Sequence, residues 1–263
     1  MDLHLNGKSV VIVGGSTGIG LAAALEFAHE GAKVLIAARS EKHLSEAKEQ
    51  FASLSLGVET RVVDATRQTE LTALGDYAIS LFGKVDVWVN NAGGGLNCFL
   101  ADISSEQLDA QIDINFKSVF WGSQTAAALM KAHGGVILNT SSFAIKMPLT
   151  GVGMYAAMKS AVHSLTKSLS AELAPYGIRV VSIVPGFVET PMTADAVARY
   201  RKDLTMSVGA GRLGKPEDLA KPIVFLASDA ADYISGVPIE ISGAKYAVQD
   251  PWSSWQILGH KGE

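Results

Sequence analysis

Short β-branched runs alternate with longer helical patterns along nearly the whole chain, and this alternation constrains the fold more than any other feature. Residues 9–13 (SVVIV) form an apolar run too short for a core helix. A glycine-rich turn and a helical pattern through residues 21–27 (LAAALEF) follow, with Gly31 placed to cap that helix. Further strands are expected at 33–38, 58–63, 85–89, 135–139, 178–184 and 238–241. Between them lie helical stretches, notably 104–133, 152–175 and 216–228. Such repeated strand–helix–strand units imply an α/β fold, a doubly wound and mostly parallel seven-stranded sheet with helices on both faces. No linker, repeat or low-complexity stretch interrupts the pattern, and 263 residues suit one large domain. We assign residues 1–248 to that domain and 249–263 to a C-terminal tail.

Composition narrows the function. Hydrophobic residues make up 48% and charged residues 18%, the profile of a chain with a packed core rather than a disordered one. A net charge of −4, without a lysine or arginine run, argues against nucleic acid as a partner. The single cysteine, Cys98, excludes an intrachain disulfide and a thiolate metal cluster, and the six histidines form no paired ligand motif, so no metal is expected. No apolar run reaches the roughly 20 residues of a membrane span, and the N-terminus lacks the pattern of a signal peptide. A cytoplasmic protein is the expectation.

The turn after the first strand reads Gly14-Gly15-Ser16-Thr17-Gly18-Ile19-Gly20 and opens directly into a helix. Helix N-termini expose unpaired N–H groups, and glycines allow a tight turn and close approach of a pyrophosphate. A packing turn would look the same in isolation, but the position at the first strand–helix junction favours a dinucleotide. The second strand then ends Ala37-Ala38-Arg39-Ser40, without the carboxylate that would bind the adenosine ribose of NAD(H). Arg39 offers a planar fork of donors for a 2′-phosphate and Ser40 a hydroxyl, which favours NADP(H) over NAD(H). The alternative is an exposed arginine at a strand end.

Tyr155 and Lys159 stand four residues apart near the start of a helix, on one face of it. An ammonium beside a phenol stabilises phenolate and lowers the tyrosine pKa, making a general acid/base of it. The pair alone is common on surface helices. Here it stands in order with the glycine turn, Asn90-Asn91-Ala92-Gly93 after the fourth strand, Ser141-Ser142 after the fifth and Pro185-Gly186 after the sixth. Together these five motifs closely resemble the short-chain dehydrogenase/reductase family, from about Gly7 to Gly243, a single Rossmann-type domain.

That resemblance implies roles. Tyr155 is the general acid/base; Lys159 binds the nicotinamide ribose and tunes the tyrosine. Ser142, thirteen residues before the tyrosine, orients the carbonyl, with Ser141 the less favoured choice. Asn115 holds a water and extends a proton relay through Lys159. Gly14, Ser16, Thr17, Gly18, Ile19 and Gly20 cradle the pyrophosphate, Asp64 and Ala65 the adenine end. Asn91, Ala92 and Gly93 line the cofactor, while Pro185, Gly186, the Val188 backbone and the Thr190 hydroxyl clamp the nicotinamide. Two departures from the family pattern are Val13, where many members have threonine, and Ile241-Ser242-Gly243 in place of Asp-Gly-Gly. Neither touches the reacting atoms.

The same resemblance places a substrate between Ser142, Tyr155, the 94–96 loop and the segment after Pro185. Leu96, Phe143, Met147, Phe187 and Met192 would line an apolar pocket for a small ketone or alcohol, though each could equally pack the core. Residues 189–214 would form a flap. The tail carries Trp252 and Trp255, two of four tryptophans, and is expected against a neighbouring subunit of a homotetramer. Two rival readings remain. A 3-oxoacyl-[acyl-carrier-protein] reductase would need a basic docking patch that the sequence does not show. A non-catalytic dinucleotide-binding regulator would have lost the serine, tyrosine or lysine, all of which are present.

Overall fold

The computed structural model describes residues 2–245 and 247–259. The chain begins with strand β1 (Ser9–Val13), helix α1 (Gly18–His29), β2 (Lys33–Ala38), α2 (Glu41–Ser53), β3 (Glu59–Val62), α3 (Gln68–Phe82) and β4 (Val87–Asn90). It continues with α4 (Ser105–Ile112), α5 (Ser118–Met130), β5 (Gly135–Thr140), α6 (Gly153–Leu173) and β6 (Ile178–Pro185). Helices α7 (Ala194–Met206) and α8 (Pro216–Ala227), strand β7 (Pro238–Ile241) and the short α9 (Ser253–Ile257) complete it. The strands lie in the order β3-β2-β1-β4-β5-β6-β7, and every pairing between them is parallel, which sharpens the expected mostly parallel sheet.

Strand β1 shows why its sequence is apolar without alternation from Val10 to Val13. Val10 and Ile12 point into a core with Ala23, Ala24 and Phe27 of α1 and with Leu219 and Ile223 of α8. Val11 and Val13 point the other way, into a core with Leu71 and Leu74 of α3 and Ala126 and Met130 of α5. A strand covered on both faces has no solvent side to carry polar residues, so the alternation disappears. The chain order reverses between β1 and β4, and open sheets of this kind bind ligands at such a switch point, beyond the carboxyl ends of the strands.

The expected helix over 104–133 is broken. Ser104 caps α4 through a reciprocal box with Gln107, and α5 begins only at Ser118. Between them, Asp113–Lys117 forms one π-helical turn, and Ser118 N–H donates to the Asp113 carbonyl five residues back. Asn115 competes for the helical carbonyls there: its Nδ2 lies 3.3 Å from the Gln111 carbonyl and 2.8 Å from that of Gly94. A side chain entering the backbone ladder is a usual cause of such a bulge.

Candidate active site

The glycine turn packs directly on the segment after β4. Gly14 has φ +82°, and a Cβ there would fall 2.6 Å from the Ala92 nitrogen. A Cβ on Gly20 would meet the Gly14 carbonyl at 2.1 Å. Asn91 Nδ2 donates to that same carbonyl at 2.9 Å, tying the β1 and β4 ends together at the switch point. Thr17 precedes α1 in extended conformation and its side chain caps nothing, and no acidic residue stands in the first turn. The positive end of α1 therefore points, with free N–H groups, at whatever anion lies above the turn.

A cavity of about 440 Å³ runs from this turn to the ends of β5 and β6. Gly14, Thr17, Gly18 and Ile19 line one end, Asn91 and Gly93 its side, and Ser142, Tyr155 and Lys159 its floor. Pro185, Gly186, Phe187, Val188, Thr190 and Met192 line the opposite wall, with Phe143. Ser16, Gly20 and Ala92 stand behind that surface. Leu96 and Met147, expected in the wall, lie outside it, and Leu149, Val152 and Ala196 take such positions instead. The fold explains the exchange: Met147 is half exposed at the end of its loop, while Val152 immediately precedes α6, whose first turn carries Tyr155.

Tyr155 is half-buried beside Ser142. Burial pushes its phenol above the ordinary value, and the hydrogen bond with Ser142 partly opposes that. The expected lowering of the tyrosine pKa by Lys159 is therefore not what the structure shows. The lysine's Nζ stands 5.8 Å from the tyrosine ring centre and donates to the Thr140 carbonyl at 2.9 Å. Burial pushes the Lys159 ammonium itself down to about 8. Ser141 is occupied structurally, its hydroxyl donating to the Lys159 carbonyl at 2.9 Å. Ser142 Oγ accepts only the Ala144 N–H at 3.2 Å among the backbone groups and opens to the cavity with Tyr155.

Asn115 is fully buried in the π-helical turn and clasps Gly94, accepting its N–H at 3.1 Å and donating to its carbonyl. Thr140 and Gln111 were not singled out from the sequence. Gln111 Oε1 accepts from Asn115 at 3.1 Å, and only its helical spacing of four from Asn115 hints at that.

At the adenine end, Arg39 is exposed just after β2. Burial raises the Asp64 pKa, but the Thr66 hydroxyl and amide, with Arg39 and Arg67 nearby, hold it below the usual carboxylate value overall. Ser40 Oγ accepts the His43 N–H as the cap of α2, which leaves its proton to donate outward. Ala65 is buried in the core, so it offers only backbone at this end. On the far wall, Thr193 Oγ1 donates to the Val188 carbonyl and accepts the Thr190 N–H at 2.9 Å, bracing the Val188–Thr190 segment. Among the described residues no cluster of metal-binding side chains occurs, and no helix is long and apolar enough to cross a membrane.

Comparison with known proteins agrees with this arrangement. The model of the short chain dehydrogenase family matches residues 8–201. A 3-oxoacyl-[acyl-carrier-protein] reductase of Thermotoga maritima is 36% identical over 242 residues, 92% of this chain and 98% of that protein. A 3alpha-hydroxysteroid dehydrogenase of Mediterraneibacter gnavus is also 36% identical, over 93% of this chain and 99% of that protein. The crystal structure of a short-chain type dehydrogenase/reductase from Mycobacterium marinum superposes with a TM-score of 0.90 at 32% identity, covering 94% of this chain and 98% of that one. The chain belongs to the short-chain dehydrogenase/reductase family of oxidoreductases.

Proposed function

We propose that this oxidoreductase uses NADP(H) to interconvert a small apolar ketone and its secondary alcohol. The observation that carries the reading is the joining of two features in one cavity: the uncapped glycine turn of α1, and the Ser142, Tyr155 and Lys159 floor. The close contact between Gly14 and Ala92 and the acid-free N-terminus of α1 suit a pyrophosphate. The dinucleotide, when bound, supplies the hydride for reduction or takes it up in oxidation. Tyr155, a neutral phenol at pH 7 whose pKa burial raises further, gives its proton to the developing alkoxide. Ser142 donates to the carbonyl oxygen and orients it. Lys159 holds the nicotinamide ribose hydroxyls, while Asn115 keeps the Gly93–Gly94 loop in place and extends the proton relay. Val188 and Thr190 grip the carboxamide, and Arg39 with Ser40 meets the 2′-phosphate.

The apolar wall of Phe143, Leu149, Val152, Phe187 and Met192 favours recognition of a substrate by shape. The names of the two relatives support both a hydroxysteroid-like alcohol and an acyl-carrier substrate. Close in sequence to lining residues, Lys146 is engaged by Glu240 and Arg201 by Glu189, which works against a docking patch for an acidic carrier protein. The protein would act in the cytoplasm as a homotetramer, without nucleic acid or membrane as partner.

The decisive experiment is titration with NADPH and then NADH, read by nicotinamide fluorescence. Tighter binding of NADPH by about tenfold, or roughly 1.4 kcal/mol, supports the reading of the 2′-phosphate by Arg39. Equal or tighter NADH binding removes that assignment, and binding of neither removes the cofactor site. Reduction of acetoacetyl-carrier protein but not of free apolar ketones would favour the second reading.

A further inference from the structure

The side wall of the cavity has a core of its own. Phe187, Val197, Val208 and Leu213 are buried together, with Phe143, Ala196 and Leu204 packed against them. Phe143, Phe187 and Ala196 also face the cavity, so this small cluster joins the substrate wall to α7. A lysine enters it. Lys245, from the segment after β7, is buried, and its Nζ lies 5.2 Å from the ring centre of Phe143 and 5.7 Å from that of Phe187. Both distances are within the range over which an ammonium is attracted to an aromatic face. Its Nζ also donates to the Ser207 hydroxyl, just past the C-terminal end of α7. Desolvation in this apolar setting pushes the ammonium down to about 8, so it remains mostly charged at neutral pH.

The residues following Ser207 are held by the same C-terminal segment at other points. Ala210 N–H donates to the Gly243 carbonyl at 2.9 Å, and a Cβ on Gly209 would lie 2.9 Å from that of Ala244. Trp255 Nε1 donates to the Gly209 carbonyl at 3.0 Å, and its ring covers Gly211. Helix α7 also has a non-helical residue at its middle, Tyr200 with φ −131° and ψ 22°. A kink therefore separates the half that carries Ala196 to the cavity from the half that ends near Ser207. A buried cation in contact with both aromatic walls and with the end of α7 has no part in proton or hydride transfer. It does have the contacts needed to set where the wall stands.

We propose that Lys245 is a positioning residue for the substrate: by joining the rings of Phe143 and Phe187 to Ser207, it holds α7 closed over the cavity and determines the fit of the apolar ketone. The proposal rests on the oxidoreductase reading above for its substrate, but its effect on α7 is open to measurement without one. Three variants test it: Lys245→Met, Lys245→Arg and Ser207→Ala. The first readout is tryptic cleavage at the exposed Arg199, Arg201 and Lys202 of α7 with NADPH present. Lys245→Met is expected to speed it about fivefold, and Ser207→Ala less. The second readout is reduction of 1-decalone, a fused-ring apolar ketone, at saturating NADPH. Lys245→Met is expected to raise KM about fivefold with kcat and NADPH affinity little changed, and Lys245→Arg to restore KM.

Unchanged cleavage and unchanged KM in Lys245→Met would overturn the proposal. So would a parallel fall of kcat, NADPH affinity and melting temperature that Lys245→Arg does not rescue, because that is the signature of a merely structural residue. If Lys245→Met does not fold, Ser207→Ala decides by the same two readouts. If the wild type binds NADPH and does not reduce 1-decalone, the apolar-ketone reading is what fails, and the cleavage rates still decide the role of Lys245.

Discussion

Tyr155 and Lys159 sit in the same pocket, yet burial acts on them in opposite chemical directions. Raising the phenol keeps its proton on, which suits an acid in carbonyl reduction. Tyr155→Phe is expected to lower kcat by about two to four orders of magnitude, with NADPH affinity unchanged by fluorescence titration. Retained activity would remove the tyrosine from its role. Lys159 is pushed from 10.5 to about 8, so between those values the unfolded chain holds a proton that the folded chain has released. Stability then rises with pH through that window, and the full penalty applies below about 8. At pH 7 this costs on the order of 3 kcal/mol. The bond to the Thr140 carbonyl offsets about 1–2 kcal/mol of it. Lys159→Met should therefore stabilise the apoprotein by about 1–2 kcal/mol in urea at pH 7, a gain that shrinks toward pH 10.5. A destabilised variant at pH 7 would contradict this.

At the scale of elements, the glycine turn is held by close backbone contact with Ala92 and by the Asn91 side chain. Gly14 combines positive φ with backbone atoms of Ala92 where a side chain would go. Gly14→Ala should cost about 1–3 kcal/mol of stability and weaken NADPH binding together, since neither neighbour is a flexible side chain that could yield. Loss of one without the other in melting and titration experiments would separate the turn from the cofactor site. The elements also show what a sequence can carry. Strand β1 is legible because both its faces are buried, and Tyr155 with Lys159 because a helix fixes spacing without help from elsewhere. The π-helical turn was not legible, because its cause is a contact between Asn115 and Gly94, twenty-one residues away in sequence. Lys245 was hidden for the same reason: its ring partners come from two loops distant in sequence. Leu149 and Val152 line the cavity from the loop before α6, whereas the family resemblance pointed to Leu96 and Met147. The ends of β3 were also less clear, for an edge strand of four residues is specified mostly by its one neighbour, β2.

For the whole molecule, the tail is the part with two faces. Trp255 turns inward onto Gly209 and Gly211 of its own chain, while Ile257 and Leu258 are largely exposed. The last four residues, 260–263, lie outside the described residues. An outward apolar edge beyond an anchored tryptophan fits a contact with a neighbouring subunit. A chain ending at Val248 is expected to elute as a smaller species than the 263-residue chain, for which a tetramer is proposed, in size-exclusion chromatography with light scattering. An unchanged tetramer counts against the tail as an interface.

The stacked rings of Trp252 and Trp255, 5.5 Å between centres, give the protein a second use for that tail. Indole emission depends on its surroundings; Trp88 is sealed in the core, and Trp121 of α5 packs against that same core. The tail pair instead leans on the loop that follows α7. Light emitted by these two rings is therefore placed to report any rearrangement at Gly209 and Gly211 from within the native chain, and a stopped-flow trace on mixing with NADPH could time it without any attached dye.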